Sequence, residues 1–423
     1  MIYNSKYLNL IYLLRNEHRS LDELIHYQTA ALKKLVRHSY CTVPFYKKLF
    51  NQHYLHPDDI QSVDDLSKIP IIDKKMLNMN SLEDLISKRY KRENLIRVTT
   101  SGSSGMPLEF FIDHSFDQYR KAQFLRPYIS NGQRLWDSSI SFSYHKEPKK
   151  KWFQHFGLMV DHRVFSGTDL GAQIKAIQDI RPAVIRAYGS LLNILSNKIS
   201  DENITIPKPR LIFTDSEVLM PEVRENIENI FRAPVIDIYG TWETDNIAYE
   251  CQYHKGYHIT IDSVIMEFLK NGKPVNPNEE GEIVVTVLNN FSMPFIRYNL
   301  NDISSYSRDQ CPCRRTFPLI NQIKGRTNDY MITEDGIKIS FFNYYFKGLA
   351  PHVYEYQIIQ EEVNSFTVFI VPGKSYSGEG EKIFMPVMKG FFPYAKIDLR
   401  IVQTIEREES GKFMAFKSKV KNL

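Results

Sequence analysis

From the N-terminus to about residue 95 the apolar positions fall at helical spacing, and this stretch is predicted to be mainly helical. Leu21, Leu24 and Ile25, then Ala31, Leu32, Leu35 and Val36, mark one face of an amphipathic helix. Thr42-Val43-Pro44 ends it, because proline cannot continue the ladder, and a second helix is predicted from near Phe45. Ile69-Pro70-Ile71-Ile72-Asp73 reads as a turn into a further helix. From about 96 to 300 short apolar runs alternate with periodic segments. Leu211-Ile212-Phe213, Val235 to Tyr239 and residues 281–288 read as buried strands. Pro221 to Phe231 reads as a helix with proline in its first turn. This alternation predicts an α/β core. Beyond about Gly325 the strand-like stretches Tyr356 to Gln360, Phe366 to Val371 and Ile397 to Val402, with a helix near Lys382 to Gly390, predict a small α+β unit.

The chain has 423 residues, enough for two or more domains, with 43% hydrophobic and 24% charged residues. Net charge is only +5, and Lys149-Lys150-Lys151 lacks the aromatic and glycine pattern of a nucleic-acid site, so it reads as a solvated loop. No membrane span is predicted. The early apolar stretch Leu8 to Leu14 is interrupted by Asn9 and Tyr12 and has no cleavage site after it, so it reads as a surface helix. Cys41, Cys251, Cys311 and Cys313 are too few for a disulfide scaffold at this length and point to a reducing compartment, the cytoplasm.

The segment Val98 to Leu108 (VTTSGSSGMPL) is dense in hydroxyls and glycine. Glycine lets backbone N–H groups approach phosphate oxygens closely, and small hydroxyls add donors. A plain surface loop has the same composition. A Walker loop is excluded, because Met106 and Pro107 follow Gly105 where Lys and Ser or Thr are needed. Gly373-Lys374-Ser375 has that ending, but Val368 stands where the earlier glycine belongs. Gly102-Ser103-Ser104-Gly105 is one residue short of a nucleophile elbow.

Thr100 to Pro107 resembles the phosphate loop of the acyl-adenylate-forming superfamily, which includes acyl-CoA synthetases and the adenylation domains of peptide synthetases. Leu108 replaces the lysine common after that proline. This is similar to the branch holding phenylacetate–CoA ligases and CapK-type capsule-biosynthesis ligases. Leu35 to Tyr40 and Val43-Pro44-Phe45-Tyr46 resemble that branch's N-terminal helix junction. Further segments follow in the family's order, from roughly residue 30 to 415. Tyr239-Gly240-Thr241-Trp242-Glu243 resembles Tyr-Gly-x-x-Glu. It implies Tyr239 near the adenine or the acyl group, Gly240 beside the nucleotide, Thr241 toward the α-phosphate and Glu243 on Mg²⁺, with Trp242 narrowing the acyl pocket. Arg297 to Asp302 resembles Arg-Tyr-x-x-Gly-Asp and implies that Asp302 accepts both ribose hydroxyls. Asn301 stands for the glycine, which is tolerable because asparagine adopts positive φ.

Ile323 to Asp329 resembles the interdomain hinge, with Arg326 toward ribose or phosphate and Asn328 replacing an aspartate. Glu409 to Phe413 resembles the mobile lysine loop and implies Lys412 as the bridge between substrate carboxylate and α-phosphate. Asp215-Ser216-Glu217 occupies the place of an adenine-edge loop, and Tyr188-Gly189-Ser190 that of the acyl-pocket strand end. The nucleotide set is thus Thr100, Ser101, Gly102, Ser103, Ser104, Gly105, Glu217, Tyr239, Gly240, Asp302 and Arg326, with Thr241, Glu243 and Lys412 catalytic.

Cys251, His258, Cys311 and Cys313 form a Cys/His set looser than a zinc ribbon, with His254 as a competing ligand. Relatives in this branch carry a similar group, which implies a structural Zn²⁺. The single match of His258 to Asp262 to an acyltransferase His-x-x-x-Asp pattern is near chance. The resemblance implies an α/β fold with a large N-terminal domain of layered sheets and helices (1–324) and a small mobile α+β lid (325–423). It implies an ATP- and Mg²⁺-dependent ligase that forms an acyl-AMP from a carboxylic acid and transfers the acyl group to CoA. The alternative acceptor is an amine or hydroxyl of a sugar, in surface polysaccharide assembly. A non-catalytic nucleotide-binding homologue is a third reading, kept open by Asn301, Asn328 and Trp242. A homodimer is left open.

Overall fold

The computed structural model describes residues 3–100, 107–143, 157–326, 330–335, 338–340, 346, 349, 352–407 and 413–420. Ser101 to Gly105, Lys149 to Lys151, Thr327 to Asp329 and Glu409 to Lys412 lie outside the described residues. The chain is α/β and divides into two compact units, one of residues 1–131 with 238–323, the other of 132–237 with 324–423.

In the first unit, helix Leu21–Thr42 begins at Ser20, whose hydroxyl accepts the Glu23 N–H while the Glu23 carboxylate accepts the Ser20 N–H. That reciprocal cap satisfies two otherwise orphaned donors. Of the predicted face, Leu24, Leu32, Leu35 and Val36 are buried and Ala31 is half-buried, whereas Leu21 and Ile25, in the first turn and a half, are exposed. The helix stops at Thr42, and Pro44 opens helix Pro44–Gln52, where its missing N–H has no ladder partner to lose. The fully buried Tyr46 hydroxyl donates to the Pro294 carbonyl and accepts the Ile296 N–H, each at 2.9 Å. One antiparallel sheet places Lys273–Pro274, Val264–Lys270, Gly281–Val287 and Tyr298–Ser304 side by side in that order. In the other, Tyr306–Ser307, Leu319–Ile320, Tyr257–Ile259, Asp245–Tyr249 and strand Val235–Thr241 follow one another, all antiparallel. A single core joins the helices to both sheets through Leu32, Phe50, Ile72, Phe110, Ile247 and Phe295.

Helix Lys6–Asn16 inverts the usual pattern. It buries Asn9 and Asn16 with Leu13 and leaves Tyr7, Leu8 and Ile11 exposed. The cause is a buried ionic network beneath it. Asn16 Nδ2 donates to Asp262 at 2.8 Å, and the fully buried Arg126 pairs with Asp262 and donates to the Leu13 carbonyl. Glu17 accepts from the Tyr249 hydroxyl at 2.7 Å and from Arg315 Nε at 2.9 Å. Buried charges persist only when paired and hydrogen-bonded.

In the second unit, Asp161–Phe165, Ser139–Ser143, Val184–Arg186 and Leu211–Asp215 form a parallel sheet in that order. Helices Leu170–Ile180, Gly189–Asp201 and Pro221–Phe231 supply Ile177, Leu192, Leu195 and Ile227 to a core with Ile140, Ile185 and Ile212. The chain then resumes as strands Val353–Glu362, Ser365–Pro372, Lys396–Ile401 and Phe416–Ser418 with helix Glu379–Phe391. These carry the predicted α+β pattern, around Ile358, Phe366, Val368, Phe384 and Met388.

Candidate active site

The hairpin Ile96–Thr99/Glu109–Ile112 frames the Ser/Gly segment. At its mouth the Thr100 N–H donates to the Leu108 carbonyl at 3.0 Å, and the Leu108 N–H donates to Thr100 Oγ1 at 2.9 Å. Thr100 is thus buried, with its N–H engaged across the hairpin and its hydroxyl oxygen accepting there.

Strand Val235–Thr241 delivers the signature residues. At Gly240 any Cβ would stand 2.1 Å from the Asp245 carbonyl oxygen, so glycine is required where the strand bulges beside Tyr239. The turn that follows is tied by hydroxyls. The Thr241 N–H donates to Thr244 Oγ1 at 3.2 Å, and the two threonine hydroxyls lie 3.1 Å apart. Arg120 braces it from helix His114–Ser130, donating to Asp245 at 3.1 Å and to the Trp242 carbonyl at 2.9 Å. The Trp242 side chain is 48% exposed.

Strand Tyr298–Ser304 alternates buried and half-buried positions, which puts Tyr298 and Asp302 on one face. Tyr298 Oη donates to Glu243 Oε1 at 3.1 Å, and Tyr239 Oη donates to Asp302 Oδ2 at 2.7 Å. Each signature segment therefore lends the other a tyrosine, and both carboxylates are buried. Tyr298 was not among the sequence-derived site residues, although it is the second residue of the Arg-Tyr-x-x-Gly-Asp pattern. Asn301 takes φ +59°, the conformation its glycine counterpart would need, and its N–H donates to Asn299 Oδ1 at 2.8 Å. Arg297, also at positive φ, forks onto Glu267 at 2.9 and 3.0 Å and donates to the Ser67 and Ile69 carbonyls. It fixes the Ile69 to Asp73 turn against the strand that carries Asp302.

In the second unit Tyr188 is the N-cap of helix Gly189–Asp201, and Glu217 accepts the Ser190 N–H at 3.1 Å. Arg326 lies in strand Gly325–Arg326. Ser101, Gly102, Ser103, Ser104, Gly105 and Lys412 are outside the described residues.

Cys251, His258, Cys311 and Cys313 converge in the first unit, with one ligand atom of each within 4.8 Å of the others. Cys251 and Cys311 Sγ atoms are 3.4 Å apart, and Cys313 Sγ is 3.3 Å from His258 Nε2. His258 Nδ1 lies 3.3 Å from the Phe317 carbonyl, which can only accept. That partner fixes the proton on Nδ1 and aims the Nε2 lone pair at the thiols. Burial pushes the His258 pKa down to about 4, so the ring is neutral. Burial, with help from the neighbouring thiols, pushes Cys251 up to about 12 and raises Cys311. Without a metal these thiols are held protonated, and a divalent cation would stabilise them as thiolate ligands. The donor set fits a closed four-ligand metal. His254 stands apart from it, 3.6 Å from Glu250, so the structure gathers His258 and not His254.

The family described as the CapK C-terminal domain matches residues 331–419. The chain is 29% identical over 337 residues to a phenylacetate-coenzyme A ligase of Aromatoleum evansii, covering 75% of this chain and 73% of that protein. It is 24% identical over 374 residues to protein CapK of Staphylococcus aureus, covering 84% and 79% respectively. A crystal structure of 2-hydroxyisobutyryl-CoA ligase, in the postadenylation state with 2-HIB-AMP, matches with a TM-score of 0.79 at 18% identity, over 96% of this chain and 91% of that one.

Proposed function

We infer that this chain, a member of the acyl-adenylate-forming superfamily in the branch of phenylacetate–CoA ligases and CapK-like proteins, is an AMP-forming ligase that activates a carboxylic acid and passes the acyl group to CoA. The observation that carries this reading is the double cross-link of Tyr298 to Glu243 and Tyr239 to Asp302. It ties a buried carboxylate in the turn after strand Val235–Thr241 to one on strand Tyr298–Ser304 of the other sheet, and in this reading the first serves a cation and the second a diol.

In this reading the substrate carboxylate attacks the α-phosphorus of ATP and pyrophosphate leaves. Both reactants are anionic, so the barrier is repulsion and misalignment. Asp302 takes the two ribose hydroxyls and fixes the nucleotide, with Tyr239 and Gly240 beside it. Thr241 faces the α-phosphate. The loop Thr100 to Gly105 offers backbone and hydroxyl donors to the phosphates, and Arg326 adds a cation. Lys412 bridges acid and α-phosphate. Glu243 holds Mg²⁺, which when bound offsets phosphate charge. Tyr188, Gly189 and Trp242 border the acid. Residues 325–423 act as the lid on 1–324. The Cys251, His258, Cys311 and Cys313 set holds a structural Zn²⁺. Among the described residues no helix is long and apolar enough to cross a membrane, and the free thiols suit the cytoplasm.

A second reading draws on the CapK C-terminal match and on the 84% of this chain that aligns with CapK. Here the activated acid is joined to an amine or hydroxyl of a sugar. Pyrophosphate release measured across aryl, fatty, hydroxy, amino and sugar acids tests the shared first step. Product mass after adding CoA or an amino sugar separates the two acceptors. Absence of release with every acid would leave a nucleotide-binding scaffold without turnover.

A further inference from the structure

The first turn of helix Gly189–Asp201 cannot cap itself. Its N-cap is Tyr188, whose side chain makes no capping hydrogen bond. Helix starts leave their first backbone N–H groups orphaned, and a carboxylate there is favoured by both hydrogen bonding and the helix dipole. Glu217 supplies that carboxylate from beyond strand Leu211–Asp215. Its Oε2 accepts the Ser190 N–H at 3.1 Å, and its Oε1 accepts the Phe413 N–H at 3.0 Å. Arg407 completes the assembly. One guanidinium nitrogen donates to Ser190 Oγ at 3.1 Å and lies 4.0 Å from Glu217 Oε1; another pairs with Glu355 on strand Val353–Glu362. The guanidinium also sits over the Phe413 ring, 5.4 Å from its centroid. The Arg407, Glu217 and Glu355 side chains are only 14%, 12% and 10% exposed. Both Glu217 oxygens are therefore engaged by the protein's own backbone.

We propose that Glu217 and Arg407 are positioning residues that hold the Tyr188-Gly189-Ser190 turn, and through it the acid, rather than ligands of the nucleotide. This rests on the reading that Tyr188 and Gly189 border the acid. A turn capped only by residues distant in sequence is as well placed as those residues are. Arg407 tethers the turn to strand Val353–Glu362 through Glu355, so acid binding is coupled to the C-terminal strands.

The test uses the full chain with E217Q, E217A, R407A and R407K. E217Q keeps one good acceptor without charge, E217A removes the cap, and R407K keeps charge but not the fork. With the best acid found for the wild type, KM for the acid is expected to rise about tenfold in E217A and R407A. It should rise less in E217Q and R407K, with KM for ATP within about twofold throughout. A nucleotide contact predicts the reverse, a raised KM for ATP with the acid unaffected, and that pattern overturns the proposal. Amide hydrogen exchange gives a readout independent of turnover. Ser190 should lose protection in E217A while the amides of strand Leu211–Asp215 keep theirs. Unchanged protection at Ser190 also overturns the clamp. A wild type that releases no pyrophosphate with any acid sinks the proposed function, while the exchange data still decide the clamp.

Discussion

Replacing Asp302 by Asn is the sharpest probe of the nucleotide site. The carboxylate is buried, its ionised oxygens offer about four acceptor directions, and Tyr239 takes one of them at 2.7 Å. Two ribose hydroxyls donating to the rest form charge-assisted hydrogen bonds of roughly 1.5–3 kcal/mol each, against roughly 0.5–1.5 for neutral pairs. Asparagine keeps the shape but has a single acceptor oxygen, which Tyr239 already claims, and it turns an N–H₂ toward the ribose. The expected loss is ~2–3 kcal/mol, or about 30- to 150-fold in ATP affinity. Calorimetric titration of ATP measures it directly. The 2′-deoxy and 3′-deoxy nucleotides complete a cycle. Each should bind the wild type several-fold more weakly than ATP and bind D302N about as well as ATP. Y239F is the control, since it removes one donor and leaves the charge, so ATP should weaken by no more than about fivefold. If D302N binds ATP within twofold of wild type, or the deoxy nucleotides are penalised equally in both proteins, Asp302 does not hold the ribose.

The remaining expectations concern stability and metal. Purified protein should carry about one Zn²⁺ per chain by elemental analysis. At metal about 1,000-fold above Kd, linkage gives ~4 kcal/mol, so chelation or C311S should lower Tm by roughly 5 °C; a metal-free chain with unchanged Tm refutes the site. R126M should destabilise by about 3–5 kcal/mol in urea unfolding, because Asp262 stays buried and uncompensated, and R126M/D262N should recover part of that. Burial outweighs Arg407 and pushes the Glu355 pKa up to about 7 from a usual 4.5. The folded chain then holds a proton that the unfolded chain has shed, so stability should fall as pH rises from about 4.5 to 7, by at most ~3 kcal/mol. In E355Q that part of the slope should vanish, and identical wild-type and variant slopes would count against it.

Periodicity found the elements that obey one rule throughout their length. Helix Leu21–Thr42 and its stop at Pro44 follow from spacing and proline chemistry, strand Ser365–Pro372 from a nearly continuous apolar run, and strand Lys396–Ile401 from the alternation of Ile397, Leu399 and Ile401. Helix Lys6–Asn16 obeys a different rule, because its inner face serves Asp262 and Arg126 rather than an apolar core. No local pattern announces a buried asparagine whose partner lies far along the chain. The pairing of Tyr298 with Glu243 is hidden for the same reason. The motif names the carboxylate, but the donor belongs to another motif. Helix Glu379–Phe391 carries Pro386 inside it, yet a strong apolar face with Phe384 and Met388 outweighs the lost hydrogen bond.

The buried carboxylates of this chain differ in what meets them, and the difference bears on what they do. Asp262, Glu17 and Glu267 are met by the guanidinium groups of Arg126, Arg315 and Arg297. Such pairs cancel charge and fix backbone, and they suit posts that hold helices to sheets. Glu243 is met by the Tyr298 phenol. A phenol orients a carboxylate and occupies one lone pair without a formal counter-charge, which suits the cation-holding role proposed for Glu243. Glu217 belongs with the first group, since its oxygens meet backbone N–H groups beside Arg407. Partner chemistry thus sets Glu243 and Asp302, each met by a phenol, apart from the carboxylates met by guanidinium groups, as the proposed ligand roles require. The same rule predicts that Y298K would pair with Glu243 and suppress cation-dependent turnover, while the lost packing against Phe295 and the burial of a charge lower Tm in a thermal melt; unchanged turnover at the same cation concentration would refute the role of Glu243.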